Sequence, residues 1–234
     1  MTIMSDAALK TAIERQAIRI DPQPTDIKAA SIDFRLGPEA FLGSGEDIIR
    51  LEDRRLLAIP PGEMAIVSTL EKVSINPRYA GQIGLRSTYA RKGLALLAGP
   101  QVDPGFSGRL HVVLVNLSPV EITLSHREPL VTVVFHDLGE DVQQPYGSGQ
   151  GDEYHEQDEI TGLEIDDIRQ HRGYAMSEVI RDMQSIAQNV GGLKTAVDGY
   201  ISRTDLYLKI FVGSISSLVA VMIGVAIALV ARSY

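Results

Sequence analysis

The sequence predicts a mainly β domain that is followed by a helical stalk and a single apolar helix. Short apolar runs separated by turn residues fill the first part of the chain, a heptad repeat follows, and an uncharged run lies near the C-terminus. Many short strands with one small helix are typical of an all-β, barrel-like domain. The predicted parts are a β domain at 1–145, an acidic linker at 146–168, a coiled-coil stalk at 169–208 and a transmembrane helix at 209–232.

Composition limits the chemistry of the chain. It has 234 residues, a net charge of -8 and no cysteine. A chain of this length can hold one core and an appendage. The negative charge argues against general nucleic-acid binding, and the absence of cysteine excludes disulfides and zinc sites that need a cysteine pair. We therefore expect no zinc, and no His-x-x-x-His or His/carboxylate pair forms another metal motif.

The β domain is predicted from strand-length apolar runs between turn residues. Ser5 predicts an N-cap for a short helix that runs to about Gln16, before the Asp21-Pro22 break. Runs rich in Val, Ile and Leu then predict strands at Ser31–Leu36, Glu63–Leu70, Leu110–Asn116, Val120–Leu124 and Leu130–Phe135.

Two further segments follow the β domain. Glycines at 147, 149 and 151 lead into a stretch with eight acidic residues before Arg169, which predicts a solvated linker. Apolar residues with 3-4 spacing come next and predict a coiled coil, with an amphipathic helix lying on the β domain as the alternative. The a positions are Met176, Met183, Val190 and Val197, and the d positions are Val179, Ile186, Leu193 and Tyr200.

The last segment predicts a membrane anchor. Residues 210–231 carry no charge and span roughly 30 Å as a helix, which is enough to cross a bilayer. The first residues do not form a signal peptide. We therefore expect a single-pass C-terminal anchor in the inner (cytoplasmic) membrane, with the β domain in the cytosol. Small residues recur every fourth position and predict either helix packing or a plain anchor; they are Ser216, Ala220, Gly224 and Ala228.

Two segments of the β domain carry the candidate chemistry. Residues 86–94 offer two hydroxyls and two guanidinium groups before a glycine, and residues 102–108 place Asp103 in a Pro-Gly turn. Guanidinium forks and hydroxyls suit phosphate oxygens, and a nearby carboxylate can hold Mg²⁺ or activate water. The alternative interpretation is an exposed Arg-rich turn beside an ordinary hairpin turn.

Together with residues 30–37, 145–146 and 153–157, these segments resemble the dCTP deaminase and dUTPase superfamily over roughly residues 4–157. The resemblance implies a distorted β-barrel or β-clip of the dUTPase-like type. It also implies a homotrimer with nucleotide sites between subunits, and a tetramer stays open as the alternative. In this family the segment that corresponds to 146–168 can close over bound nucleotide.

The resemblance assigns expected roles to individual residues. It implies phosphate contacts for Ser87, Thr88 and Arg91, with Arg86 supporting that site. Tyr146 and Gln157 fall where the deaminase tail touches nucleotide, and Phe106 takes the aromatic place near deoxyribose. Asp103 matches the carboxylate that activates water in dUTPases, with Mg²⁺ on the phosphates. The set is Arg86, Ser87, Thr88, Arg91, Asp103, Phe106, Tyr146 and Gln157.

Two departures from the family pattern bear on activity. Val113 stands where deaminases carry a proton-shuttling Glu, so we expect metal-free deamination to fail. His111 lies two residues earlier, on the same face of a strand, and could substitute in principle. Glu153 stands where the deaminase tail has a Lys that meets the triphosphate, and a carboxylate there repels phosphate.

The combined hypothesis is a membrane-anchored nucleotide-binding sensor or effector. Its ligand would be a deoxynucleotide or an oligonucleotide, and its membrane helices would form an oligomeric bundle, in the sharper form an ion channel or pore in antiviral defence. The alternative is a tail-anchored dUTPase that uses Asp103 and Mg²⁺. Whether the chain is an enzyme is left open at this point.

Overall fold

The computed structural model describes residues 2–51, 56–97, 99–149, 156–171 and 176–231, and the side chains of several positions between 171 and 231 lie outside that description. The chain divides into two compact units, Met1–Val179 and Ile180–Tyr234. The first unit holds the β domain and a short helix after it, and the second holds most of a long helix.

The described strands are short and separated by turns, as the sequence predicts. In chain order they are β1 Thr2–Ile3, β2 Ile18–Asp21, β3 Ile32–Leu42, β4 Ile49–Arg50, β5 Leu56–Ile59, β6 Met64–Ile75, β7 Tyr79–Leu85, β8 Leu94–Leu96, β9 Gln101–Val102, β10 Ser107–Asn116, β11 Ile122–Ser125 and β12 Pro129–Asp137. The helices are α1 Asp6–Glu14, α2 Ser87–Ala90, α3 Gly162–His171 and α4 Met176–Ala231.

Antiparallel pairing joins ten of the described strands into one sheet in the order β8-β10-β6-β3-β12-β7-β9. The short strands β1, β2 and β4 pair with β12, β6 and β3, and β5 pairs with β11 in a separate ribbon. Strand β6 pairs with β10 along one edge of its 12 residues, and with β3 and then β2 along the other. The predicted mainly β architecture is therefore confirmed.

Strand β10 shows how the sheet separates core from site. Its buried residues alternate with partly exposed ones, because successive side chains of a strand point to opposite faces. Leu110, Val112 and Leu114 join the main hydrophobic core, which also holds Phe34 and Phe135. The opposite face of β10 is left to face the candidate site.

The sequence located the elements of the domain better than it located their ends. Ser5 caps α1 by accepting a hydrogen bond from the Ala8 amide at 3.3 Å, as predicted. All five predicted strands are present, as β3, β6, β10, β11 and β12, although several extend further. Seven described strands are not predicted, among them β7, which contains Gly81 and Gly84. At Gly81 the strand needs glycine, since a Cβ would lie 2.9 Å from Cβ of Val102.

The acidic stretch after the β domain is packed rather than uniformly solvated. In its described part, Ile160 and Ile168 are 4% and 6% exposed, and Glu164 is 7% exposed. These residues belong to the first compact unit. Glu153 and the other residues of 150–155 lie outside the described residues, and the closing role of 146–168 stays a prediction.

Helix α4 confirms a helical segment after the β domain but not its predicted details. Its heptad residues Met183, Ile186 and Val190 are 66%, 61% and 59% exposed, and no second helix packs on them in the described part of the chain. The coiled coil is therefore not supported. Ser216 donates its hydroxyl to the Val212 carbonyl at 2.8 Å, within its own helix.

The predicted transmembrane helix at 209–232 is corrected by the structure. A search of the described residues finds no helix that combines the length and the apolar character needed to cross a membrane. Ser216, Ala220, Gly224 and Ala228 are predicted to pack in a membrane bundle. The surroundings of Ala220, Gly224 and Ala228 lie outside the described part of the structure.

The tight approach of β3 to β6 yields a stability prediction. A Cβ at Gly37 would lie 2.5 Å from the carbonyl carbon and oxygen of Thr69, both backbone atoms. We expect Gly37→Ala to lower the free energy of unfolding by about 1–3 kcal/mol, since the backbone must shift to accept the methyl group. Denaturant unfolding of both proteins measures the difference.

Gly84→Ala is the matched control, because Gly84 also lies in a strand but a Cβ there meets nothing within 4 Å. We expect its effect to stay within about 0.5 kcal/mol. Equal unfolding midpoints for Gly37→Ala and the parent protein would contradict the close packing of β3 on β6.

Candidate active site

The phosphate segment predicted from the sequence lies at the end of β7. Arg86 is held by its guanidinium, whose Nε lies 3.3 Å from Oδ2 of Asp33 and whose Nη1 donates to the Pro129 carbonyl at 3.4 Å. The following turn, α2, leaves Ser87 and Thr88 exposed, and Arg91 is exposed just after it. Two hydroxyls and a guanidinium group are therefore open to a ligand, while Arg86 anchors the segment to β3 and β12.

The Asp103 turn follows the short strand β9. The Phe106 amide donates to the Asp103 carbonyl at 3.0 Å, which closes the turn. Gly105 has a φ of +91°, a conformation that favours glycine, and a Cβ there would lie 2.8 Å from Cβ of Pro145. The Asp103 carboxylate accepts a hydrogen bond from Nε2 of Gln101 at 2.7 Å. The turn thus fixes one carboxylate and one aromatic ring beside the segment around Pro145.

A cavity of about 460 Å³ opens beside this turn. The Phe106 and Tyr146 rings lie on its wall, with centroids 5.8 Å apart and planes tilted by 45°. Arg109, His111 and Val113, which share the face of β10 opposite the core, line it together with Leu110 of the core face. The other lining residues that bear on chemistry are Asp103, Gln157, Glu164 and Asp167.

A buried polar network crosses this cavity. Oε1 of Glu164 lies 2.8 Å from Nδ1 of His111. The Glu164 side chain is 8% exposed and the His111 side chain is 7% exposed. The other oxygen, Oε2, accepts hydrogen bonds from Nε2 of Gln157 at 2.6 Å and from the Thr161 amide at 2.9 Å. The network connects α3 and the segment before it to the face of β10 that lines the cavity.

Apolar contacts hold α3 over the same face. Ile160 and Ile168 form a small hydrophobic cluster with Phe41 and Ile66, against which Val113 packs. Arg169 adds a cation–π contact, with its guanidinium carbon 5.2 Å from the centre of the Phe41 ring. Val113 therefore has a packing partner on α3, which explains why an apolar side chain is accommodated there.

The ionisation of Glu164 follows from this network. Burial alone would raise the pKa of its carboxyl, but the hydrogen bonds from His111 and Thr161 outweigh burial, so that the pKa lies below its ordinary value of 4.5. Glu164 is therefore a carboxylate at neutral pH. A carboxylate only accepts hydrogen bonds, so His111 donates through Nδ1.

The structure brings together some of the predicted site residues and separates others. Asp103, Phe106, Tyr146 and Gln157 all line the cavity. The phosphate segment does not line it; its residues are Arg86, Ser87, Thr88 and Arg91. Within one chain, the predicted phosphate contacts and the predicted base contacts are therefore not parts of the same cavity wall.

Sequence reasoning missed Arg109 and Glu164 as parts of this cavity. The guanidinium of Arg109 donates to the Thr69 carbonyl at 2.8 Å and so is fixed beside β6. Glu164 was counted in an acidic linker. The signal that could have found it is the helical spacing of Ile165 and Ile168 within the acidic run, which indicates a docked face.

The fold is that of the dCTP deaminases. The crystal structure of 2'-deoxycytidine 5'-triphosphate deaminase from Agrobacterium tumefaciens aligns with a TM-score of 0.50 at 15% sequence identity, covering 58% of this chain and 48% of that chain. At this sequence identity, the alignment supports a conclusion about the fold alone.

The family follows from the sequence comparison. The family model described as dCTP deaminase-like matches residues 3–138, and this chain belongs to that family. A dCTP deaminase of Thermococcus sibiricus is 37% identical over 142 residues, covering 60% of this chain and 89% of that protein. A dUMP-forming dCTP deaminase of Methanopyrus kandleri is 30% identical over 177 residues, covering 66% of this chain and 91% of that protein.

These relatives correct the predicted function. This chain aligns with most of the length of proteins named dCTP deaminase. Among the described residues, no helix is long and apolar enough to cross a membrane. The hypotheses of a membrane sensor, an ion channel and a tail-anchored enzyme at the inner membrane are therefore wrong. The predicted dCTP deaminase-like domain is confirmed.

The lowered pKa of Glu164 predicts how α3 responds to acid. A carboxyl group whose pKa falls on folding stabilises the folded state above its ordinary pKa of 4.5, and that stability is lost as the pH falls through the folded-state pKa. We expect the hydrogen-exchange protection of the α3 amides, corrected for intrinsic rates, to fall below about pH 4.5 before that of β12 does.

Glu164→Gln is the comparison variant, because its side chain keeps the size but has no proton to take up. Asp103 and Asp167 line the same cavity and are present in both proteins, so the difference between the two isolates Glu164. The same pH dependence of α3 protection in the variant would show that another group controls the docking of α3.

Proposed function

We propose that this chain binds a pyrimidine deoxynucleoside triphosphate and deaminates dCTP. The cavity beside β10 carries the proposal, because it joins two aromatic rings to polar side chains suited to a base and a sugar. Phe106 and Tyr146 would pack on the deoxyribose and base, and Gln157 would donate or accept hydrogen bonds there. Relatives named dCTP deaminase support the same substrate class.

The triphosphate would be bound by the segment after β7. Ser87, Thr88 and Arg91 are exposed and carry groups suited to phosphate oxygens. Because this segment does not line the cavity of its own chain, a complete site would combine the cavity of one subunit with the phosphate segment of another. We therefore propose a homo-oligomer, with the trimer as its first candidate.

Mg²⁺ would be held mainly by the nucleotide. The described residues contain no cluster of three or more His, Cys, Asp or Glu side chains that could hold a metal ion. Asp103 supplies one partly exposed carboxylate at the cavity, and Mg²⁺ commonly uses one or two carboxylates together with substrate phosphates and water. When bound, the ion would neutralise phosphate charge.

Release of diphosphate is a second candidate activity. It is favoured by the Methanopyrus kandleri relative, whose name specifies a dUMP-forming enzyme. Asp103 lies on the cavity wall, is held by Gln101, and would activate water for attack on the α-phosphate. In that case dCTP would yield dUMP, and Asp103→Asn would stop the reaction at dUTP.

The substrate proposal is tested by incubating the full chain with each deoxynucleoside triphosphate and Mg²⁺. We expect dCTP to release ammonia, with dUTP or dUMP as the nucleotide product resolved by chromatography. Calorimetry on the same samples measures binding. Absence of both binding and ammonia release with dCTP would refute the proposal.

Arg91 tests the phosphate end of the site. We expect Arg91→Ala to weaken dCTP binding by about 10- to 150-fold, since a hydrogen bond to a charged group contributes about 1.5–3 kcal/mol. Lys92→Ala is the matched control, because Lys92 is an adjacent exposed cation whose Nζ lies 5.4 Å from the centre of the Tyr89 ring. Equal weakening by both changes would indicate a general charge effect.

A further inference from the structure

The unusual feature of the cavity is a buried imidazole with one nitrogen unused. Nδ1 of His111 meets the Glu164 carboxylate at 2.8 Å, whereas Nε2 is buried and has no hydrogen-bond partner among the described residues. Buried polar atoms without a partner are rare in folded proteins because they lose their hydrogen bond to water. Since His111 lines the cavity, a ligand there, or water bound with it, would supply the missing partner of this nitrogen.

The carboxylate decides which nitrogen is basic. Since Glu164 is ionised and accepts the hydrogen bond, Nδ1 carries the proton of the neutral ring and Nε2 keeps a free lone pair. The same carboxylate stabilises the imidazolium that forms when Nε2 takes up a proton. His111 is thus prepared to accept a proton and return it.

The position of His111 suits the reaction of this family. His111 and Val113 lie on the same face of β10, and Val113 occupies the place where the resemblance expects a proton-shuttling Glu. Val113 has no proton to exchange and packs against the cluster that includes Ile160 and Ile168. The nearest ionisable group along this face of the strand is therefore His111.

We propose that His111 is the proton-transfer group of this enzyme, and that Glu164 of α3 is the residue that positions it. The inference rests on the proposed deamination of dCTP. In the family pattern a single Glu on the strand transfers the proton, whereas here a histidine–carboxylate pair would do so. The inference also makes the docking of α3 a requirement for turnover, since α3 supplies Glu164.

The chemical steps balance without a further reactant. Nε2 of His111 takes one proton from water as its oxygen bonds to C4 of cytosine, and the proton passes to N3. The second proton of that water moves through His111 to the amino nitrogen as the C4–N bond breaks. Ammonia leaves, C4 becomes a carbonyl, and His111 returns to its neutral form.

The experiment compares binding and turnover of dCTP in the full chain for two variants. His111→Asn keeps a hydrogen-bond donor toward Glu164 but has no basic nitrogen. We expect it to bind dCTP within a few-fold of the parent protein and to release ammonia roughly 100-fold more slowly or worse. Glu164→Gln should lower kcat by about tenfold or more with a smaller change in KM.

Two controls separate chemistry from structure. His126→Asn removes another partly buried histidine, whose Nδ1 lies 2.9 Å from the Gly37 carbonyl oxygen and which does not line the cavity, and it should leave kcat unchanged. His111→Asn combined with Val113→Glu places the family's carboxylate on the same face and should recover part of the lost turnover. A merely structural role for His111 would not be rescued in this way.

The outcomes distinguish this inference from the proposed function. Turnover of dCTP by the parent protein that persists in His111→Asn overturns the inference and leaves the proposed function standing. Binding of dCTP by the parent protein without ammonia release overturns both the inference and the deamination. If His111→Asn does not fold, unchanged kcat in Glu164→Gln overturns the inference.

Discussion

The alternation of side chains along β10 is the constraint on which the rest of the site depends. Successive residues of a strand point to opposite faces, so Leu110, Val112 and Leu114 complete the core while Arg109 and His111 line the cavity. A shift of register by one residue would exchange these two sets. The pairing of β10 with β6, whose register shifts between Arg109 and His111, positions core residues and cavity residues on the same strand.

Burial of Glu164 shows how a charged group can hold two parts of the fold together. An ionised carboxylate loses its hydration when it is buried, and hydrogen bonds must replace it. Here His111, Gln157 and Thr161 supply them from β10 and from the segment before α3. The same contacts that satisfy the carboxylate therefore dock α3 and orient the imidazole.

Val113, at the position where the resemblance expects a Glu, is interpreted differently from the sequence and from the structure. From the sequence, a valine at this position indicates the loss of a proton-transfer group. In the structure, Val113 packs against a cluster that holds Ile160 and Ile168, while His111 lies on the same strand face and meets a carboxylate. An apolar contact and an ionisable pair thus lie side by side on one strand.

The sequence by itself determined the strand-rich domain, the Ser5-capped helix, the dCTP deaminase-like segments and the candidate residues Asp103, Phe106, Tyr146 and Gln157. The strands and the capped helix follow from local periodicity and turn chemistry, and the segments and candidate residues follow from the resemblance to the family. The tertiary structure decided which distant residues meet: Glu164 lies 53 positions from His111, and no local pattern records such a contact. It also corrected the membrane helix predicted from apolar composition. Contacts between distant residues form only when the whole chain packs, whereas periodicity and turn chemistry act between neighbours in the sequence.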